Sequence, residues 1–180
     1  AEDENLSESL IPKVGALIEG LVRIVRLNKA LLLLARIENQ QYPQTEPVDL
    51  DVLIRHLLED FTDHAEHLGL YFEYSCLDPA KPLMAPALAQ VLVVNLIKNA
   101  LTHTASGGWV KIQLEKHSLS VTNSGTASLD CNKIFERFYK ATALEQSTGL
   151  GLAIVKAVID LHNFNISYKF LGHHKFVVQF

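Results

Sequence analysis

The chain has 180 residues, of which 48% are hydrophobic and 20% charged, and its formal net charge is -4 at pH 7. This balance is ordinary for a globular protein, and the negative charge without a local basic cluster excludes the usual footprint of a nucleic-acid-binding protein. Two cysteines, Cys76 and Cys131, are too few for a disulfide framework or a cysteine-based zinc site, so a reduced, cytosolic setting is expected.

The first residues, AEDENLS, lack a methionine, which indicates a fragment of a longer protein. The longest apolar run, residues 30–35, is far too short to cross a membrane, and no signal peptide is visible. Any membrane attachment is therefore expected to use segments absent from this sequence.

Residues 7–41 are predicted to form one long helix whose apolar residues recur at alternating steps of four and three, as in a coiled coil. A second apolar stripe widens this face, so a bundle with another subunit is the natural way to cover it. The heptad seam contains Leu10, Val14, Leu17, Leu21, Ile24, Asn28, Leu31 and Ala35, and the second stripe contains Ile18, Val22, Val25 and Leu32. Asn28 either fixes the register of the seam or faces solvent where the seam loosens.

The segment YPQTEP, residues 42–47, carries two prolines and is predicted to end this helix and mark a domain boundary. Asp49 can cap a second helix, and Gly69 can close it. The predicted core face of that helix contains Leu53, Ile54, Leu57, Leu58, Phe61, Ala65 and Leu68.

The rest of the chain alternates strand and helix patterns, which predicts an α+β fold with helices on one mixed, mostly antiparallel sheet. The predicted strands are residues 70–76, 109–115, 119–122, 166–170 and 175–180. The predicted helices are residues 86–104, residues 132–139 and a further helix that Gly149 and Gly151 open and that runs to about residue 161. DPAKPLMAP, residues 78–86, is predicted to be a loop.

Four motifs on these elements could carry chemistry. In VLVVNLIKNALTHT, Asn95 and Asn99 are four residues apart and share one helix face, which His103 continues. Asparagine is a poor residue for the middle of a helix, so the pair indicates either a functional face or a polar, solvent-facing stripe.

The other three motifs each allow two interpretations. TNSG, residues 122–125, follows a strand and could be an ordinary turn. STGLGL, residues 147–152, opens a helix, where glycines either let backbone N–H groups approach an anion or serve packing. IFERFYK, residues 134–140, either anchors a loop through its aromatic rings or forms a small amphipathic helix.

Together, in this order and spacing, the four motifs resemble the N box, first glycine box, phenylalanine box and second glycine box of sensor histidine kinases. Upstream, RLNKALLLLARIENQQ resembles the second helix of the dimerisation and phosphotransfer hairpin of that family. The resemblance implies a two-layer α/β sandwich of the Bergerat type, preceded by one long dimerisation helix. It divides the chain into a hairpin helix at 1–42, a linker at 43–48 and an ATP-binding catalytic domain at 49–180.

The resemblance also implies ATP and Mg²⁺ as cofactors. Asn99 would bind the metal through its amide oxygen, and Asn95 would contact metal-bound water or phosphate. Arg137 and Lys140 would bring positive charge to the phosphates, and residues 140–148 would be a mobile lid pinned by Phe135 and Phe138. The other residues implied to bind nucleotide are Thr102, His103, Asn123, Gly125, Thr148, Gly149, Leu150, Gly151 and Leu152.

The chain departs from the family pattern at three positions. Thr102 stands where a lysine or arginine is usual, Asn123 replaces an adenine-reading aspartate, and Ala127 replaces a common glycine. The Asn123 amide oxygen can still accept a hydrogen bond from the adenine amino group, but it lacks the charge. These departures keep open a degenerate pseudokinase or a dimerisation and interaction module of the same fold.

ATPases of the wider superfamily carry a glutamate four residues before the metal-binding asparagine, as the general base for hydrolysis. Asn95 occupies that position, and an amide cannot usefully accept a proton at neutral pH. This favours transfer to a protein acceptor, and with the long helix it disfavours a serine kinase or ATPase of the superfamily.

The acceptor histidine of the resembled family would lie on the missing first helix of the hairpin. Apart from His103, no histidine of this chain is proposed as a site, and His56, His64 and His67 are expected on a solvated face. The resemblance implies that the parent protein is a homodimeric inner-membrane sensor and that this chain belongs to its cytoplasmic part. The parent would pass the phosphoryl group to an aspartate of a response-regulator receiver domain. The fragment would bind nucleotide without phosphorylating itself, and it could phosphorylate a supplied hairpin.

Overall fold

In a computed structural model that describes residues 2–42, 44–140 and 148–180, the chain forms four helices and seven strands. The helices are α1 Glu2–Glu38, α2 Leu50–His67, α3 Pro86–Thr102 and α4 Gly151–Leu161. The strands are β1 Glu46–Pro47, β2 Tyr71–Cys76, β3 Leu83–Met84, β4 Trp109–Glu115, β5 Ser118–Ser124, β6 Asn165–Phe170 and β7 His173–Gln179.

The main sheet has five strands in the order β2-β4-β5-β7-β6, in which the β2–β4 pair is parallel and the others are antiparallel. Its inner face packs on α2, α3 and α4, so alternate residues along β4, β5 and β7 are buried. The other side, called the outer face below, has no helix packed on it in the described part of the chain. The predicted two-layer sandwich with a mixed, mostly antiparallel sheet is therefore confirmed.

Two local interactions fix where α2 and α3 begin. The Asp49 carboxylate accepts a hydrogen bond from the Val52 N–H at 3.2 Å, which is the predicted cap of α2. At the start of α3, the Ala85 N–H donates to Nε2 of His162, which follows α4, at 3.1 Å. The beginning of α3 is thereby fixed beside the end of α4.

The predicted linker at 43–48 and the predicted loop at 78–86 each contain a short strand. Glu46–Pro47 pairs with Leu83–Met84 in a two-stranded antiparallel ladder. Two residues are too few to produce an alternating hydrophobic pattern, so sequence periodicity could not indicate this pairing.

The helix predicted at 132–139 is wrong, because the chain forms turns there. Phe138 has a φ of +65°, a left-handed conformation that ends any right-handed helix. Strands β5, β6 and β7 begin one or two residues earlier than predicted, at Ser118, Asn165 and His173, and β5 also ends two residues later, at Ser124. The glycine-box residues Asn123 and Ser124 therefore belong to a strand.

Helix α1 presents two different apolar faces. The seam residues from Leu10 to Leu31 are exposed; Leu17 and Ile24, for example, expose 67% and 62% of their surface. A separate stripe that the sequence analysis did not single out packs on the domain, and its residues Leu34 and Ile37 are each 2% exposed. Within the described residues, no helix is both long and apolar enough to span a membrane.

The buried stripe of α1 gives a stability test with a matched control. Replacing Ile37 by Ala should lower the free energy of unfolding by about 2–5 kcal/mol, because it leaves a cavity where α1 meets the domain. Ile24→Ala removes the same atoms from an exposed position and should change the free energy of unfolding by less than about 0.5 kcal/mol. Urea unfolding at concentrations where the chain is monomeric measures both, and equal effects would contradict the observed packing of α1.

Candidate functional site

The two asparagines of α3 lie beside the beginning of α4. The Nδ2 of Asn95 donates to the Val91 carbonyl at 2.7 Å. A Cβ atom built on Gly151 would lie 3.4 Å from Asn95 Oδ1, so the amide oxygen faces the first residue of α4. Glycine at position 151 thus leaves the space between this amide and the helix start open.

Asn99 lies one turn further along α3 and is half-buried. Its side chain makes no hydrogen bond to any residue that the structure describes, whereas the amide of Asn95 is anchored to the helix backbone. Thr102 and His103, at the end of the same helix, are exposed. The Asn99 amide is therefore not engaged by the described residues, on the helix face that it shares with Asn95.

The first turn of α4 lacks a side-chain cap. Its N-cap residue is Leu150, which cannot accept a hydrogen bond from the helix through its side chain. The first N–H groups of a helix have no partners within the helix, and they carry the positive end of its dipole. This end of α4 therefore suits an anion. Leu150 itself is buried in the core, while Leu152 is half-buried.

The phenylalanine box is held to the second glycine box through its backbone. The Phe138 N–H donates to the Gly149 carbonyl at 2.8 Å, and a Cβ on Gly149 would lie 2.8 Å from Phe138 Cα. With a φ of +70°, Gly149 meets both a conformational and a steric requirement for glycine. Phe135 packs against the core, whereas the Phe138 ring is 54% exposed. Their predicted role of pinning the lid stays a prediction, because residues 141–147 lie outside the described residues.

The two cations expected in the lid, Arg137 and Lys140, have different surroundings. Arg137 forms an ion pair with Glu38, at the end of α1, and so contacts the long helix. Both side chains are about half exposed, so the pair adds little stability, but it determines where the guanidinium points. Lys140 is half-buried and makes no ion pair within the described residues. Most of the predicted lid, residues 141–147, lies outside the described residues.

Asn123 is a buried polar residue on the inner face of β5, 1% exposed. Its Nδ2 donates to the Thr104 hydroxyl at 3.1 Å and to the Ser124 carbonyl at 3.2 Å. The Thr104 hydroxyl in turn donates to the Ala100 carbonyl at 2.7 Å, which connects β5 to the end of α3. Because these two bonds occupy the amide hydrogens, the Asn123 amide oxygen is the atom left to accept a hydrogen bond.

His174 is not among the predicted site residues, but it lies directly opposite Asn123 in the β5–β7 ladder and is 7% exposed. Its Nδ1 lies 2.9 Å from the Tyr168 hydroxyl oxygen, which accepts from the Leu129 N–H at 3.0 Å. Its ring lies against Gly125, where a Cβ would approach Nε2 to 2.2 Å. Extending the alternation of β7 by two residues would have placed His174 on the inner face.

The surroundings of His174 oppose its protonation. Burial lowers the pKa of this imidazole, and the neighbouring charges of His103 and His173 lower it further. His174 is therefore expected to be neutral in the folded protein near neutral pH.

Acidic and sulfur ligands do not form a metal site in the described residues, where no group of three or more His, Cys, Asp or Glu side chains could hold an ion. A divalent cation between α3 and α4 would therefore depend on amide and phosphate oxygens. Mg²⁺ accepts such a set, because it commonly binds few protein oxygens together with water and phosphate.

A family model described as "Histidine kinase-, DNA gyrase B-, and HSP90-like ATPase" matches residues 85–179. This range contains α3, α4 and the four motifs. One relative, the probable sensor histidine kinase TcrY of Mycobacterium tuberculosis, is 34% identical over 172 residues. The match covers 87% of this chain and 35% of TcrY. The chain spans about a third of the length of the curated relatives it matches.

Solved structures share the fold. The histidine kinase AdeS of Acinetobacter baumannii superposes with a TM-score of 0.74 at 22% identity, over 91% of this chain and 81% of that chain. The histidine kinase ThkA, solved in complex with the response regulator protein TrrA, gives a TM-score of 0.63 at 22% identity, over 86% of this chain and 47% of that chain.

The contact between Gly125 and His174 can be tested by a double-mutant cycle. Gly125→Ala should lower the free energy of unfolding by about 1–3 kcal/mol, because the added methyl overlaps the imidazole. In a His174→Ala background the same change should cost less, giving a coupling of about 0.5–3 kcal/mol. Gly20→Ala, on the open surface of α1, should instead stabilise the chain slightly. Strict additivity in urea unfolding would show that the two residues do not touch.

The lowered pKa of His174 predicts a pH dependence of stability. Below the ordinary histidine pKa, about 6.5, the unfolded chain binds a proton that folded His174 resists. The stability contribution is therefore complete above that pH and is lost as the pH falls from about 6.5 toward the lower folded-state pKa. Between pH 7 and pH 5, the unfolding midpoint should fall further for the native chain than for His174→Gln. Parallel losses would exclude His174 as the cause and point to His103, whose pKa is also lowered by desolvation. The lowered pKa values of Asp49 and Asp51 act only below about pH 4.

Proposed function

This chain belongs to the family of histidine kinase-, DNA gyrase B- and HSP90-like ATPases, and we propose that its parent protein transfers the γ-phosphate of ATP to a histidine. In this proposal residues 49–180 are the ATP-binding catalytic domain of a sensor histidine kinase, residues 43–48 are the linker and residues 1–42 are one helix of the dimerisation hairpin. The acceptor histidine lies outside this chain, which therefore does not phosphorylate itself.

One juxtaposition carries the proposal: the amide oxygen of Asn95 faces the uncapped start of α4, and the unbonded Asn99 amide lies one turn away. Together they offer side-chain oxygens on one side and backbone N–H donors on the other. A magnesium-bridged triphosphate needs both, because its metal takes oxygen ligands and its phosphates take N–H groups. The residues present therefore fit Mg²⁺ and ATP as cofactors.

When bound, Mg²⁺ supplies neutralisation of the phosphate charge, the main requirement of phosphoryl transfer. The Asn99 oxygen would hold the ion, and Asn95 would hold metal-bound water or a phosphate oxygen. The phosphates would lie against backbone N–H groups at the start of α4. These belong to Thr148, Gly149, Leu150, Gly151 and Leu152. Lys140 would stabilise the negative charge that develops on the phosphates during transfer, and Arg137 would do the same once it leaves Glu38.

The adenine would lie beyond the end of α3. The Asn123 amide oxygen would accept from its amino group, while Thr104 holds the amide in that orientation. Gly125 would border the base through its backbone, because the His174 ring occupies the space where a Cβ would lie. The exposed Thr102 and His103 would border the ribose and phosphates. Because Thr102 carries no charge, phosphate binding depends more heavily on Lys140, Arg137 and the helix terminus.

Transfer to protein is favoured over hydrolysis by the residue at position 95. Its amide is anchored to the Val91 carbonyl and cannot take a proton from water at neutral pH. The proposed acceptor is therefore a histidine of a homodimeric hairpin, from which the phosphoryl group passes to a response-regulator receiver domain. The exposed seam of α1 supports the homodimer, and neither nucleic acid nor direct membrane contact has a place in the proposal.

A second candidate is a degenerate member of the same fold that dimerises and recruits a partner without catalysis. The observation that favours it is the ion pair of Arg137 with Glu38, which keeps a proposed phosphate-binding cation at α1. Nucleotide affinity separates the two candidates. Absence of binding at millimolar Mg-ATP analogue would favour the non-catalytic candidate.

Replacing Asn99 by Ala should abolish Mg²⁺-dependent nucleotide binding and leave the fold intact, because it removes the proposed metal ligand from a half-buried position. Asn165→Ala, at the exposed start of β6, removes the same group far from α3 and should leave affinity unchanged. Calorimetric titration with a non-hydrolysable ATP analogue, with and without Mg²⁺, measures both. Unchanged affinity in Asn99→Ala would remove this residue from the site.

Catalysis can be tested in trans. With Mg-ATP, the chain should phosphorylate a supplied dimerisation hairpin of its own parent protein, and the phosphoryl group should be lost in acid, as phosphohistidine is. Asn99→Ala should not label the hairpin. An acid-stable product would identify a serine kinase instead, and nucleotide binding without any labelling would support the non-catalytic candidate.

A further inference from the structure

A groove of about 600 Å³ lies on the outer face of the sheet. Its floor is the central strand β5, which contributes the small side chains of Ser120 and Thr122. Its walls are larger residues of the two neighbouring strands, including Trp109 and Lys111 on β4 and Lys175 on β7. The groove therefore results from a row of short hydroxyl side chains between two rows of long ones. It lies across the sheet from α3 and α4, so it is separate from the proposed nucleotide site.

The groove carries positive charge that the sheet does not neutralise. In the strand register, Thr122 pairs with Lys111 on one side and with Lys175 on the other, and Lys175 pairs directly with Lys169 of β6. Lys111 has an acidic partner, Glu73, at 3.1 Å. Lys175 and Lys169 make no ion pair within the described residues, and like charges directly opposite on neighbouring strands destabilise a sheet. An anion beside Lys175 would relieve that repulsion.

One end of the groove is aromatic. The Trp109 and His173 rings lie 5.5 Å apart between centroids, and Lys111 Nζ lies 5.9 Å from the centre of the Trp109 ring. Tyr71 lines the same end. A flat ring could stack there while its anionic substituent reaches the floor hydroxyls and Lys175, since hydroxyl groups and an ammonium both donate hydrogen bonds.

We propose that this groove binds a small planar anion, an aromatic ring that carries a carboxylate or a phosphate. The volume is within the range of small-molecule sites, about 300–1,000 Å³. A protein partner is a poorer fit, because a stable interface covers roughly 800 Å² on each side and has an apolar centre. At the centre of this face stand Ser120, Thr122 and Lys175, which are polar.

The proposal has a built-in reporter, because Trp109 is the single tryptophan of the chain. Phenyl phosphate, which has both the ring and the anion, should change Trp109 fluorescence saturably and shift the backbone amide NMR signals of residues 118–124. Its half-saturation concentration should be at least about tenfold below those of inorganic phosphate and benzyl alcohol, which each supply one half of the ligand. If either half binds as well as the whole, or if the amide shifts fall on α3 and α4 instead, the proposal is overturned.

A matched pair of variants tests the charge. Lys175→Gln should weaken phenyl phosphate binding about tenfold without loss of stability, because it also removes the repulsion with Lys169. Lys116→Gln removes an exposed lysine from the β4–β5 turn, outside the groove, and should leave binding unchanged. Equal effects of the two variants would indicate non-specific attraction and contradict the proposal. Asn99→Ala should not alter this binding, so the outcome is independent of whether the nucleotide site exists.

Discussion

The close approach of α4 to the middle of α3 is the constraint on which the candidate site depends. The contact is fixed at both ends: His162 binds the Ala85 N–H at the start of α3, and Gly151 brings the start of α4 to the Asn95 amide oxygen. A side chain larger than a hydrogen at position 151 would occupy the space between an oxygen-bearing helix face and a helix terminus that carries positive charge. The proposed binding of a metal-bridged polyanion depends on that space.

The buried polar residues extend this arrangement into the sheet. Thr104 connects Asn123 to the end of α3, and His174 lies opposite Asn123 and against Gly125. Asn123 and His174 are the buried polar residues of the described chain, and they are neighbours in one ladder. Polar groups in a core are retained when their hydrogen bonds are satisfied, and here those bonds position the proposed adenine-reading amide.

The contact between α1 and the domain extends to the phenylalanine box beside the same site. Leu34 and Ile37 bury one stripe of α1, and Glu38, the next residue, pairs with Arg137 of the phenylalanine box. The opposite seam of α1 stays exposed.

The amino-acid sequence alone determined the long helix, the capped α2, the four motifs and their family, because each follows from periodicity or from residue types at fixed spacing. Its periodic signals did not extend to the two-residue ladder of β1 and β3, to the turns at 132–139 or to the early start of β7. The tertiary structure alone decided that Leu34 and Ile37 are the stripe of α1 that packs on the domain, that Arg137 pairs with Glu38, and that His174 lies beside Asn123. These are contacts between residues far apart in the chain, and local patterns of hydrophobicity carry no information about which distant surfaces meet.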